Sequence, residues 1–150
     1  MLIYLAGPLF SQAERKFNER LSNKLEILGF KVFLPQRDGI ESDKPRFSKL
    51  SKEEKRGLLF RVDIKKIKET EIFLFVLDGR VPDEGACVEL GIAYSCKNSQ
   101  KKKLIVGLQT DIRAAFLNSK LNPMLRCCFD FIAESENELL EFLKKRTSSF

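Results

Sequence analysis

Six consecutive apolar residues, IFLFVL from Ile72 to Leu77, constrain the fold of this chain more than any other stretch. Successive side chains of a strand point to opposite faces of its sheet, so a strand with one wet face alternates apolar and polar residues. A run without alternation needs cover on both faces, which is the setting of a central strand in a parallel sheet with helices above and below. The neighbouring segments fit that setting. "MLIYLA" reads as a short buried strand halted by Gly7-Pro8, and Ser11 to Leu28 carries Phe17, Leu21, Leu25 and Leu28 at helical spacing before Gly29. "KVFLP" is a second strand stopped by Pro35, "KLIVGL" a fourth and "FDFIA" a shorter fifth. Helices are expected over "LLFRVDIKKIKET", from about Glu84 to Asn98, and after "SENE", where Ser135 and Glu138 form a capping box. Strands alternating with helices imply right-handed crossovers. The expected fold is therefore α/β: a single domain over residues 1–150, with a five-stranded, mostly parallel sheet flanked by helices, flavodoxin- or Rossmann-like. The charged stretch "QRDGIESDKPRFSKLSKEEKRG" breaks the pattern and reads as a long loop with room for a short helix.

A chain of 150 residues is long enough to bury a sizeable core. No apolar run approaches the roughly 18–20 residues of a membrane span, and no leader-like n-region opens the sequence, so a soluble cytoplasmic protein is expected. The net charge is +6, but the lysines scatter ("DIKKIKETE", "NSQKKK") without interleaved aromatic residues. That favours solvated helix faces and strand ends over a nucleic-acid surface, with a modest attraction for anionic metabolites. Cys87, Cys96, Cys127 and Cys128 show no metal or redox spacing, and the adjacent pair would sit on opposite faces of a strand, implying reduced structural thiols. There is no histidine, which removes Ser-His and Cys-His dyads and His-ligated zinc together. Acid–base or nucleophilic chemistry then falls to carboxylates, or less readily to Tyr, Lys or Cys. With no GxGxxG and no P-loop, no dinucleotide or triphosphate cradle is expected.

Ligands of such sheets bind beyond the carboxyl ends of the strands. Here those ends are "GPLF", "PQRDG" and "DGRVPDEG", where glycine, proline and acids gather. Just beyond stands Glu89, between Val88 and Leu90 in "PDEGACVELG". If the chain is helical from Gly85, Glu89 shares a face with Gly85, Ala86, Ile92 and Ala93. Small neighbours leave room for a ligand, and a helix N-terminus favours an ionised carboxylate. An ordinary solvent-facing glutamate is the alternative, against which the apolar neighbours and the central strand argue. Asp83 stands where an N-cap belongs, and capping alone would justify it. Asp63, taken alone, is an exposed helix charge, and Tyr4 is a core residue whose phenol wants a partner.

Together, "IYLAGPLF", "PQRDG", Asp63, "VLDGRVPDEGACVELGIAY" and "LNPML" resemble the nucleoside 2-deoxyribosyltransferase family. The most specific part is D-x-G-x-x-x-E-x-G, here Asp83, Gly85, Glu89 and Gly91. The resemblance implies that Glu89 is the nucleophile at the anomeric carbon of deoxyribose and that Tyr4 orients it. It implies that Asp63 and Asp83 hold the nucleobase, one of them helping to protonate it, with Gln36 a looser base contact. Gly7 and Met124 join the implied substrate-binding set, and Asn122 is implied to reach the sugar 5′-hydroxyl of a neighbouring subunit. The implied partners are deoxynucleosides and free nucleobases, in a dimer-based homo-oligomer (tetramer or hexamer) with shared active sites, serving nucleotide salvage. No cofactor and no metal is implied.

The chemistry is compatible with these roles. An N-glycosidic bond breaks through an oxocarbenium-like state, for which a close carboxylate is a natural nucleophile. A covalent glycosyl-glutamate splits one hard step into two, retains configuration and gives ping-pong kinetics. Two other functions remain open on the same fold. A deoxynucleoside 5′-monophosphate N-glycosidase would hydrolyse instead of transferring, with Ser11 and Arg37 as candidate phosphate contacts. A non-catalytic nucleotide-sensing module would use Glu89 only to bind a ribose.

Overall fold

The computed structural model describes residues 1–40, 49–99, 103–111 and 121–147. Five strands, β1 (Leu2–Ala6), β2 (Lys31–Phe33), β3 (Ile72–Val76), β4 (Leu104–Leu108) and β5 (Phe131–Ala133), pair in the order β2-β1-β3-β4-β5. All four pairings are parallel, the flavodoxin-like doubly wound arrangement. The helices are α1 (Gln12–Ile27), α2 (Pro35–Asp38), α3 (Lys52–Glu69), α4 (Glu84–Ser99), α5 (Pro123–Arg126) and α6 (Glu136–Thr147).

Strand pleating sorts the core into two layers. Ile3, Leu5, Ile72, Leu74 and Val76 pack with Leu21 and Leu25 of α1 and with Leu139 and Leu143 of α6. Tyr4, Ala6, Phe73 and Phe75 face the other way, onto Ile67 of α3 and Ala86, Leu90 and Ala93 of α4. Every residue of β3 is buried, so both of its faces are core. Each such side chain stabilises the fold by roughly 1.5–3 kcal/mol relative to exposure.

The helix starts follow their caps. Ser11 opens α1 with a reciprocal capping box to Glu14. Ser51 does the same for α3 with Glu54, so residues 52–57, expected in the long loop, form the first turns of a helix. Their mostly charged, solvent-facing side chains carry no apolar period to announce it, whereas the Ser-x-x-Glu spacing does. The other end of that stretch is also helical, because Pro35 takes the first position of α2, where its missing N–H is no loss. Residues 41–48 lie outside the described part. At α6 the box is displaced: Ser135 Oγ accepts from Glu138 N–H, while the Glu138 carboxylate accepts from Glu134 N–H instead of Ser135.

Cys127 and Cys128 lie in the turn after α5, not on a strand, because β5 starts only at Phe131. Cys128 Sγ donates to Met124 O there, and Cys87, Cys127 and Cys128 are free thiols. At the far end of the sheet from the strand exits, buried Lys103 donates to Ile67 O and to the Thr70 carbonyl, tying off the C-terminus of α3. Among the described residues no helix is long and apolar enough to cross a membrane.

Candidate active site

Tyr4 sits in the middle of β1, fully buried, directly opposite Phe33 of β2 and Phe73 of β3 in the strand register. Its ring stacks between theirs, with centroids 5.4 and 5.7 Å away. The aromatic row fixes the ring, and the hydroxyl leaves the core toward α4, where it donates to Glu89 Oε1 at 2.6 Å. The Tyr4 hydroxyl is pushed far above the usual phenol range, first by burial and then by the negative charges of Glu89 and Asp63.

Glu89 stands on the second turn of α4, on the side that faces the sheet. Ala86 and Ala93, both buried, are the small neighbours that let its carboxylate approach β1. Its pKa is pushed up to about 7. Burial is the largest cause, the Tyr4 hydrogen bond opposes it, and the carboxylates of Asp63 and Asp83 raise it further. Four of the residues singled out in the sequence, Tyr4, Glu89, Asp63 and Asp83, thus form one electrostatically connected group, supplied by β1, α3 and the start of α4.

Asp83 performs the capping expected of it. Its Oδ1 accepts from Ala86 N–H at 2.8 Å, and its carbonyl accepts from Cys87 N–H at 2.9 Å. A Cβ on Gly85 would stand 3.2 Å from that Oδ1, so the glycine keeps the cap uncrowded. Gly7 has φ +148°, and a Cβ there would meet Val76 Cβ at 2.9 Å and Val76 O at 3.1 Å. Only glycine lets the exit of β1 lie against the exit of β3, which opens the crevice between their loops.

Three other sequence-selected residues stand apart. Gln36 donates through Nε2 to Arg15 O at 2.9 Å and Glu19 Oε1 at 3.2 Å, and its Oε1 accepts from Asn18 Nδ2 at 3.3 Å. All of these bonds run to α1, none to Tyr4 or Glu89. Asn122 caps α5, its Oδ1 accepting from Met124 N–H at 2.9 Å, and Met124 is 80% exposed. The two phosphate candidates are also engaged. Ser11 belongs to the α1 cap, and Arg37 is held by Glu26, Asp38 and the Val32 carbonyl.

Asp78 went unnoticed in the sequence. Its Oδ1 accepts from Thr110 N–H at 2.5 Å and Asp111 N–H at 2.9 Å, and its Oδ2 from Thr110 Oγ1 at 2.5 Å. It ties the exit of β3 to the exit of β4, anchoring the loop that delivers Asp83. The only sequence signal was an Asp-Gly pair after a buried strand, which reads as a turn. On the α1 side of the strand exits lies an open cleft of about 400 Å3, whose lining includes neither Tyr4 nor Glu89. Among the described residues no group of His, Cys, Asp or Glu is placed to hold a metal ion.

Known proteins bear on this geometry in two ways. The family profile described as nucleoside 2-deoxyribosyltransferase matches residues 3–141. Among solved structures, a conserved protein from Enterococcus faecalis V583 is 26% identical, with a TM-score of 0.75 over 97% of this chain and 98% of its own. A 2-deoxyribosyltransferase from Bacillus psychrosaccharolyticus is 23% identical, with a TM-score of 0.74 over 93% of this chain and 90% of its own. A CMP N-glycosidase from Clostridium botulinum is 22% identical, with a TM-score of 0.54 over 97% of this chain and 99% of its own. The last two share the fold. No curated protein matched the chain.

Proposed function

The chain belongs to the nucleoside 2-deoxyribosyltransferase family, a family of enzymes acting on N-glycosidic bonds, and from that premise we propose that it moves 2-deoxyribose from one nucleobase to another through a covalent intermediate on Glu89. The observation that carries this reading is the 2.6 Å bond from buried Tyr4 to Glu89 Oε1. A phenol spent on a carboxylate leaves the other oxygen, Oε2, with a fixed direction in which to attack.

In the first step Glu89 attacks the anomeric carbon, the C–N bond breaks, and its electron pair leaves on the base nitrogen. The base takes up a proton as it departs, and Asp63 and Asp83 are the acids grouped with Glu89 to hold the base and supply that proton. In the second step an incoming base attacks the same carbon from the vacated side, the glutamate leaves, and the incoming nitrogen loses its proton. Two inversions retain configuration. The elevated Glu89 pKa reflects its partial burial, and a desolvated carboxylate is a stronger nucleophile than a hydrated one.

Asn122 and Met124 enter this reading as a contribution to a neighbouring subunit. Their exposure and their distance in sequence from the cluster suit a residue presented across an interface, in a homo-oligomer with shared sites. The same-fold alternative, hydrolysis of a deoxynucleoside 5′-monophosphate, loses support because Ser11 and Arg37 are already committed within the chain.

Chromatography tests the proposal. Purified protein is incubated with deoxyinosine or thymidine plus free adenine, and separately with a deoxynucleoside monophosphate. Deoxyadenosine that appears with wild type and vanishes with Glu89→Gln is the expected result. Free base from the monophosphate alone assigns the protein to the hydrolases, and absence of product from both defeats the enzymatic reading.

A further inference from the structure

The carboxylate of Asp78 does a job that the backbone does elsewhere in the sheet. Continuing the β3–β4 register from Val76↔Leu108 by two residues sets Asp78 opposite Thr110. Leu77 N–H donates to Leu108 O at 2.8 Å, and in a parallel ladder the next donor is Thr110 N–H, returning to a β3 carbonyl. Here Asp78 Oδ1 takes that N–H at 2.5 Å together with Asp111 N–H at 2.9 Å, while Oδ2 takes the Thr110 hydroxyl at 2.5 Å. The side chain supplies the rung, so the β3 main chain can leave the sheet while still bound to β4.

The departure is made at Gly79, whose φ of +128° is strained for any residue with a Cβ. Gly79 to Pro82 then lead to Asp83, which caps α4 through Ala86 N–H. Gly79, Arg80 and Val81 are exposed, so core packing does little to hold this connector. Its course is set by the aspartates at its two ends.

On the reading that Glu89 is the nucleophile, we propose that Asp78 is a positioning residue for the reaction, acting through the connector to fix Asp83 beside Glu89. Asp83 is near enough for its charge to raise the Glu89 pKa. Asp63, which acts in the same sense, comes from α3 and does not depend on the connector.

Carbon-13 NMR titration of the Glu89 carboxyl in the full-length chain reads the place of Asp83 without any turnover. Asp83→Asn keeps a capping side chain and removes the charge, and is expected to lower the Glu89 midpoint. Asp78→Ala is expected to lower it as well, because Asp83 moves away, and to add no further shift in the Asp83→Asn background. Asp78→Asn also lacks the charge but keeps an oxygen for the two N–H groups. Its midpoint is expected to stay near that of wild type, which separates the tie from the field of Asp78 itself. Thr110→Val cuts the Oδ2 bond from the β4 side, and is expected to give a smaller shift of the same sign even if Asp78→Ala does not fold.

In the transfer assay, kcat/KM of Asp78→Ala is expected to fall by about 10–10²-fold, the scale of a misplaced catalytic group, with most of the loss recovered in Asp78→Asn. A Glu89 midpoint unmoved by Asp78→Ala or by Thr110→Val, an equal shift in both Asp83 backgrounds, or the same shift in Asp78→Asn as in Asp78→Ala overturns the proposal. Absence of turnover in the wild type defeats the transferase reading alone, since the titration contains no substrate.

Discussion

Tyr4 Oη and Glu89 Oε1 meet at 2.6 Å across 85 residues of sequence, joining the first strand to the helix after the central one. The bond favours the ionised carboxylate, so Tyr4→Phe should do two things at once. Activity at neutral pH should fall by about 10²-fold, the usual scale for one preorganised donor. The acidic limb of the pH–rate profile should also move to higher pH, because Glu89 loses the one contact that lowers its pKa. A drop in rate with the limb unmoved would show that the phenol serves only packing.

The wild-type profile has a fixed sign. In the proposed mechanism Glu89 attacks as the anion, so kcat/KM should rise with pH through a limb near 7, the value to which burial pushes this carboxyl. A profile flat between about pH 5 and 8 would exclude Glu89 as the titrating nucleophile.

Glu89→Gln should trade activity for stability. Loss of the nucleophile should reduce turnover by at least about 10³-fold. Because the folded pKa lies above the ordinary glutamate value of 4.5, the folded chain holds more protons than the unfolded one between 4.5 and about 7. The stabilisation from protonated Glu89 is complete below that window and is lost as pH rises through it. Glutamine removes this dependence, so at pH 8 the variant should be the more stable, by at most about 3 kcal/mol. Thermal melts of both proteins at pH 4.5 and 8 measure the difference. A wild type that loses no stability relative to the variant on going to pH 8 would refute it.

Gly7→Ala should destabilise the fold by about 1–3 kcal/mol, since φ +148° is strained for alanine and its methyl would press on Val76. Urea midpoints with an unchanged m-value would register it. Activity should fall further than stability, as the exits of β1 and β3 separate.

Much of this architecture was legible in the residues. IFLFVL announced a strand covered on both faces, and the two core layers meet on it. Glu89 was conspicuous because a carboxylate among Ala86, Leu90 and Ala93 breaks a helical apolar face, and such a break has few structural explanations. The start of α3 was marked only by the Ser51-x-x-Glu54 spacing, because Lys52 to Arg56 are charged and mostly exposed and impose no apolar period. Asp78 was hidden for a different reason. A tie between two strand exits is a long-range contact, and a single sequence carries only local periodicity. Gln36 shows the converse, since its position after β2 was legible while its attachment to α1 depends on how α2 packs.

The aromatic row also has an optical consequence. The chain contains no tryptophan and two tyrosines, Tyr4 and Tyr94. Tyrosine emission is quenched when the phenol bonds a carboxylate, so Tyr4, bonded to Glu89, is expected to be dark and the exposed Tyr94 to supply the background. A ligand that draws Glu89 away from Tyr4 should therefore brighten the protein, a change that native fluorescence would read with no label attached.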